Sequence, residues 1–293
     1  MDELEKLTHS PRLSLHEFQE LQRIFNGAAG LSFDDSALPL FQRRLASRLP
    51  LHDIACYRDY ARLLQFGPQS EAELAAALDL LTSGETYFFR HGEQLAVLSG
   101  TILPALAVAN ASSRRLNVWS AGCSSGEEAY TVAILLAESG LFDGWTLRIV
   151  GTDLSHERVE LARQGCYFQG AFRSTDERVR KTWFVEVGRV WQVRDELRSL
   201  CQFAPHNLLS RHLDHFVGRM DLILCRNVLI YLDDGARARV VENLHERLTP
   251  GGYMLLGHSE SLKQMGKRVE LQSLAHDMAF RKPTRSVRRG SDA

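Results

Sequence analysis

The stretch VWSAGCSSGEEAY, residues 118–130, closes an apolar run with Gly122 and Gly126 and follows them at once with Glu127 and Glu128. A glycine-rich turn that opens a helix ordinarily binds phosphate, because free backbone N–H groups and the helix dipole attract anions. Here two carboxylates stand where a phosphate would sit, and the G-x-G-x-x-G spacing of a dinucleotide site is missing. A further acid, Asp153, ends the apolar run in VGTDLS, a position from which a carboxylate accepts hydrogen bonds from ribose hydroxyls. Close backbone approach without a phosphate cradle, beside a ribose-binding acid, describes a site for a nucleoside that carries no phosphate. S-adenosylmethionine has that chemistry: an adenosine, a sulfonium cation and an amino-acid tail whose ammonium also favours nearby carboxylates. The alternative is structural, since a glycine turn alone is a weak signal and a strand-terminal Asp is often only the N-cap of the next helix.

The elements that must position these residues follow from the hydrophobic pattern. SLHEFQELQRIF pairs Ser14 with Glu17 as a capping box and places Leu15, Phe18, Leu21 and Phe25 on one helical face. PLFQRRLASRL repeats Phe41, Leu45 and Leu49 at helical spacing, and SEAELAAALDLL predicts a second capping box at Ser70 and Glu73 over a face of Leu74, Leu78 and Leu81. After about residue 115 the pattern alternates. LNVWSAG, LRIVGTDL and GGYMLLGHSES read as strands, MDLILCRNVLIYL as a strand and turn, and EEAYTVAILLAES, HERVELARQG and ARARVVENLHERL as the helices between them. Such alternation predicts a parallel, doubly wound sheet that binds ligands at the carboxyl ends of its strands, where Gly122, Asp153 and Asn227 would lie.

Composition excludes several classes. The 293 residues are 44% hydrophobic and 24% charged with a net charge of -1, so nothing overall points to nucleic acid or a membrane surface. The five cysteines, Cys56, Cys123, Cys166, Cys201 and Cys225, form no C-x-x-C pair or zinc spacing, and they read as reduced thiols with no metal site. No signal peptide is expected, and no apolar run approaches the roughly 20 residues that span a bilayer, so the expected location is cytoplasmic without membrane insertion.

LTSGETYFFR (81–90), VWSAGCSSGEEAY (118–130), GTDLSHERVELARQGCY (151–167), HNLL (206–209), DLILCRNVLIYL (221–232) and GGYMLLGHSESL (251–262) occur in that order. Together they resemble the bacterial chemotaxis receptor methyltransferases, the CheR family, over nearly the whole chain. The resemblance implies a helical substrate-recognition domain at 1–85, a linker and leading helix at 86–115, and a Rossmann-like class I methyltransferase domain at 116–283. It also implies a small antiparallel β insert at 166–205, and a basic tail remains at 284–293. The implied reaction moves the methyl group of S-adenosylmethionine to glutamate side chains on the cytoplasmic coiled coil of a chemoreceptor, giving a glutamyl methyl ester and S-adenosylhomocysteine. The implied cofactor contacts are Thr86, Arg90, Glu128, Asp153, Asn207, Leu208, Asn227 and Val228, with Arg90 and Tyr231 at the transfer site. Family members often carry Asn where Gly84 stands, and the choice between Glu127 and Glu128 stays open. A non-catalytic S-adenosylmethionine-binding scaffold is the competing reading, while the glycine spacing opposes a nicotinamide enzyme.

Substrate recognition is expected on Arg43, Arg44 and Arg48, with Arg44 and Arg48 at i, i+4 on one helix face suited to an acidic partner, or else simply solvated. FVEVGRVWQV predicts a hairpin turning at Gly188 and Arg189. In the resembled family this subdomain can bind a pentapeptide at the receptor's C-terminal tail as an added strand. The tight turn here replaces a longer glycine-rich loop, so independence from that pentapeptide is expected. The chemistry needs no strong base, because a glutamate with an ordinary pKa near 4.3 is already ionised at neutral pH.

Overall fold

The computed structural model describes residues 11–82, 85–210, 216–257, 260, 269–273 and 278–284. Gly84, most of GHSESL and the tail from residue 285 lie outside the described residues.

Among the described residues, four α-helices build the N-terminal part: α1 (Leu15–Ala29), α2 (Leu38–Leu45), α3 (Tyr57–Phe66) and α4 (Ser70–Leu81). The capping box at Ser14 and Glu17 forms, with Glu17 accepting the Ser14 N–H at 3.0 Å and the Ser14 hydroxyl accepting the Glu17 N–H at 3.3 Å. Phe18 and Phe25 are fully buried and meet Phe41 edge-on, their ring centroids 4.9 and 5.7 Å away. The capping box expected at Ser70 and Glu73 does not form: Gln69 is the cap residue and Glu73 turns into the core. Its carboxylate accepts from Tyr60 Oη at 2.5 Å and Arg48 Nε at 2.9 Å, and faces His52 Nε2 at 2.6 Å. Three side-chain donors outweigh one helix-end N–H. Burial pushes the Glu73 carboxyl up, but hydrogen bonds from Arg48, Tyr60 and His52 hold it below its ordinary value.

The leading helix runs as α5 (Gly92–Val97), a π turn (Leu98–Ile102) and α6 (Leu103–Ala109). The turn widens so that Leu103 N–H donates to Leu98 O just ahead of Pro104, which has no N–H to give. At 18 residues and mean hydropathy 1.4, this is the one helix among the described residues long and apolar enough to cross a membrane. Its apolar character has a nearer cause, since Leu95, Leu98, Ile102, Leu103 and Leu106 are buried in the core.

The strands in chain order are β1 (Arg115–Ala121), β2 (Thr146–Asp153), β3 (Cys166–Tyr167), β4 (Phe184–Val187), β5 (Val190–Val193), β6 (Cys201–Pro205), β7 (Met220–Cys225), β8 (Leu248–Leu256), β9 (Glu270–Ser273) and β10 (Met278–Arg281). Seven form one sheet ordered β6-β2-β1-β7-β8-β10-β9, parallel from β6 to β8 with β10 antiparallel to its neighbours. The order reverses at β1, the switch point where such sheets open a crevice. Alternate residues feed two cores. Trp119, Val150, Ile223 and Met254 pack with the N-terminal helices and α9 (Asp234–Arg247), while Val118, Ile149, Leu222 and Leu255 pack with α7 (Glu127–Ser139), the leading helix and the insert. Burial on both faces explains the unbroken apolar runs.

The insert is a three-stranded antiparallel sheet ordered β3-β5-β4. Its hairpin turns at Gly188, φ +64°, as the Gly-first two-residue loop requires. β3, β6, β9 and β10 were not legible as strands: β3 has two residues, β9 and β10 four each, and β6 has only Phe203 buried.

Candidate cofactor cleft

One cleft opens at the carboxyl ends of β1, β2, β6 and β7, with about 1350 Å³ of empty space counted out to solvent. Its floor is the loop 122–126. Gly122 has φ +81°, and a Cβ there would lie 2.3 Å from Val228 Cγ2; Gly126 has φ +94°, and its Cβ would lie 2.9 Å from Ala162 Cβ in α8 (His156–Gln164). The glycines therefore let the loop pass under Val228 and press α7 against α8. Asp153 fixes the same loop, accepting the Ser124 N–H at 2.7 Å and the Ser155 N–H at 3.0 Å. Burial pushes the Asp153 carboxyl above its ordinary value, against the pull of those two N–H groups.

The two glutamates part company. Glu127 is 3% exposed and accepts from Ser125 Oγ at 2.9 and 3.1 Å beneath the loop. Glu128 lines the cleft, accepting from Ser120 Oγ at 2.7 Å and pairing with Arg226 Nη1 at 3.2 Å. Arg226 is a residue that sequence reasoning missed. It also donates from Nη2 to Arg90 O at 2.7 Å, and its buried Nε has no hydrogen-bond partner among the described residues. The available signal was a cation directly after the apolar run 222–225.

Arg90 is set from both sides. Phe88 anchors the segment against the insert, its N–H donating to Ala171 O at 2.9 Å and its ring stacked on Phe172 at 5.0 Å. Phe89 and His91 flank Arg90 at φ +58° and +60°, a left-handed backbone that non-glycine residues adopt at a cost. His91 Nε2 reaches Asn227 Oδ1 at 3.2 Å, and Asn227 is itself at φ +59°.

The turn 227–230 is held by a single carboxylate. Glu260 accepts backbone N–H groups from Asn227 (3.1 Å), Val228 (2.9 Å), Leu229 (2.7 Å), Ile230 (3.3 Å) and Gly257 (2.6 Å). Such a nest binds an anion tightly, and here the chain supplies its own. Tyr231 follows at the mouth, 37% exposed. The helical part closes the opposite wall with Ala29 and Leu31, tied down where Asn207 Nδ2 donates to Ala28 O at 2.7 Å and Ser32 N–H to Tyr231 O at 2.8 Å.

The chain has counterparts among known proteins. The profile described as CheR methyltransferase, all-alpha domain, matches residues 16–82, and that described as CheR methyltransferase, SAM binding domain, matches residues 84–277. The chain belongs to the CheR methyltransferase family. It is 32% identical over 270 residues to chemotaxis protein methyltransferase 2 of Vibrio cholerae serotype O1, covering 92% of this chain and 91% of that protein. It is 29% identical over 252 residues to a chemotaxis protein methyltransferase of Borreliella burgdorferi, covering 84% and 88%. The N-methyltransferase NodS from Bradyrhizobium japonicum, solved with S-adenosyl-L-homocysteine, is similar over 73% of this chain and 97% of its own at 17% identity and a TM-score of 0.38. This CheR-family chain is an S-adenosylmethionine-dependent methyltransferase with an all-helical N-terminal domain and a Rossmann-like domain.

Its cleft fits that cofactor. Asp153 retains acceptor capacity for hydroxyls, Glu128 presents a carboxylate for a cation, and the unpartnered Arg226 Nε offers a buried donor. Among the described residues no group of three or more His, Cys, Asp or Glu could hold a metal. Thr86, Arg90, Glu128, Asp153, Asn207, Leu208, Asn227, Val228 and Tyr231 all line the one cleft.

Arg43, Arg44 and Arg48 do not, and they share no outward face. Arg44 Nη1 donates to Leu80 O at 2.8 Å and Leu81 O at 3.2 Å, closing the end of α4, and Arg48 is committed to Glu73. The expected shared helix face does not form, because α2 ends at Leu45 and Arg48 lies in the turn beyond it; both side chains meet α4, whose free carbonyls and buried carboxylate are better partners than water. Arg43 alone is exposed.

Proposed function

We propose that this protein methylates glutamate side chains of bacterial chemoreceptors, acting in the cytoplasm on their coiled-coil region. The observation that carries this reading is the placement of Arg90 in the lining of the same cleft as Tyr231, its main-chain oxygen held by Arg226, which also pairs with Glu128. S-adenosylmethionine bound there supplies a methyl group on a sulfonium sulfur, which passes to a carboxylate oxygen as the C–S bond breaks with its electron pair left on sulfur.

This chain's residues bind, orient and shield. Asp153 accepts the ribose hydroxyls, Glu128 receives the ammonium of the amino-acid tail, and Arg226 receives its carboxylate. Leu208 and Val228 give the cleft apolar walls, while Asn207, Asn227 and Thr86 set its edges. Arg90, a planar cation, holds the incoming carboxylate, and Tyr231 covers the mouth against water. An ionised carboxylate needs no general base, so positioning supplies most of the acceleration, up to roughly 7–11 kcal/mol in favourable cases.

Docking on the helical domain rests on Arg43, since Arg44 and Arg48 are engaged within it. The two-residue turn at Gly188 favours action without the receptor's tail pentapeptide, and titration calorimetry with that pentapeptide is expected to give no binding. The defining experiment supplies methyl-labelled S-adenosylmethionine and chemoreceptor-bearing membranes. Base-labile methyl esters on receptor glutamates are expected; cofactor binding without ester formation would favour a non-catalytic role instead.

A further inference from the structure

Outside the cleft proper, one cluster has the chemistry of a second recognition point. Glu85 and Tyr87 line the cleft mouth, and Arg173 reaches them from within the insert, directly after the 169–172 turn. The Arg173 guanidinium lies 3.7 Å from the Tyr87 ring centroid and pairs with Glu85 at 2.7 Å. Its site is rigidly built, because the Phe88 N–H and the stacked Phe88 and Phe172 rings lock the Tyr87 segment to the 169–172 turn. Its carboxylate partner is not. The Arg173 and Glu85 side chains are 48% and 67% exposed, and an ion pair so exposed contributes little to stability.

A planar cation fixed on an aromatic ring, holding a solvent-facing glutamate at the entrance, is arranged to hold a different glutamate instead. Arg90 stands at the same ring, its guanidinium 5.8 Å from the Tyr87 centroid and its Nη1 on the Glu85 main-chain oxygen at 2.8 Å. Two guanidinium groups beside one tyrosine match an acceptor that brings two carboxylates, one to be methylated and one to be gripped.

We propose that Arg173, stacked on Tyr87, is a second carboxylate-binding subsite at the cleft mouth, held by Glu85 until a second acidic side chain of the methyl acceptor displaces it. This rests on the reading of the cleft as a glutamate methyltransferase site. The acceptor class is thereby narrowed to segments with a carboxylate close to the methylated one. Glu85 acts as an internal competitor, so removing it strengthens acceptor binding.

The test measures initial rates on a chemoreceptor cytoplasmic fragment, as made and with the acidic neighbours of each methylated glutamate replaced by glutamine. Arg173→Ala is expected to raise the acceptor KM roughly three- to tenfold, with most of kcat kept, and Arg173→Lys to recover part of it. Glu85→Gln is expected to lower the acceptor KM, a change in a direction that mere loss of structure does not produce. Neutralising the acceptor's neighbouring carboxylates and Arg173→Ala are expected to be non-additive, since they remove the same contact. Affinity for S-adenosylhomocysteine, read by calorimetry, is expected to stay within twofold of wild type in all three variants, which reports on an intact cleft. An unchanged acceptor KM in Arg173→Ala, a raised one in Glu85→Gln, or additive effects would each overturn the subsite. Absence of any methyl ester with the wild-type protein would instead overturn the reading of the cleft, and this subsite with it.

Discussion

Asp153 and Arg226 show how differently two residues of one site announce themselves. Asp153 stood out because its signal is local: an acid at the end of a strand, two residues before the N-cap of the helix that follows. Arg226 has its partners at Glu128 and Arg90, about a hundred residues away, and no local spacing encodes them. Asp153→Ala is expected to weaken S-adenosylhomocysteine binding by about 1.5–3 kcal/mol, the range for hydrogen bonds to a charged group, and wild-type affinity in calorimetry would remove Asp153 from the ribose contact. Because burial raises its carboxyl, the unliganded fold favours the protonated form more than the unfolded chain does, so this group alone stabilises less as pH rises through its raised range. His206 has the opposite linkage. Burial, with Arg247 nearby, lowers its pKa from 6.5 to about 4, so the fold keeps it neutral while the unfolded chain takes up a proton. Its contribution is complete above pH 6.5 and is lost as pH falls towards 4. His206→Gln is expected to flatten that part of the melting-temperature profile; an unchanged acid limb would contradict the assignment.

At the scale of elements, the loop 122–126 and the turn 227–231 are one device. Val228 sits where any side chain on residue 122 would go, and Glu260 holds Val228 in place through the backbone. Gly122→Ala carries both the penalty of a left-handed backbone, about 1–2 kcal/mol, and an overlap with Val228. The overlap is relieved in Gly122→Ala with Val228→Ala and the backbone penalty is not. Partial recovery of thermal stability and cofactor affinity in the double variant is therefore expected, and purely additive losses would show that the two segments are not in contact. Helix ends were legible where side chains cap locally, as at Ser14. Glu73 misled because a capping glutamate and a buried ion-pair glutamate have the same sequence signature, and only the neighbours of α4 distinguish them.

For the whole molecule, the helical part and the sheet share one apolar core. Phe18, Leu45 and Leu78 belong to the same cluster as Trp119, Ile223 and Met254. Polar ties reinforce the join, with Asn26 Nδ2 on Asp233 Oδ2 at 2.5 Å, and a Cβ on Gly30 would lie 2.3 Å from Ala236 Cβ. Calorimetric unfolding is accordingly expected as a single transition that S-adenosylhomocysteine raises as a unit, because the ligand binds only the folded state. Deleting residues 1–82 would expose one face of the sheet and is expected to give an aggregating product; a stable, cofactor-binding remainder would show the two parts to be independent.

Sequence alone determined the helices and central strands of the fold, the placement of the candidate site at the strand ends and the family, because hydrophobic period, glycine placement and motif order are local properties of the chain. Tertiary structure decided what each polar residue is for. It turned Glu128 towards the cleft and Glu127 beneath the loop, and it drew Arg44 and Arg48 inward because α4 offered them carbonyls and a buried carboxylate. It recruited Arg226, Glu260 and Leu31 to the site from distant segments. The physical reason is the same throughout: a charged side chain goes where its desolvation is best compensated, and the compensating groups are brought near it only by the packing of the whole fold.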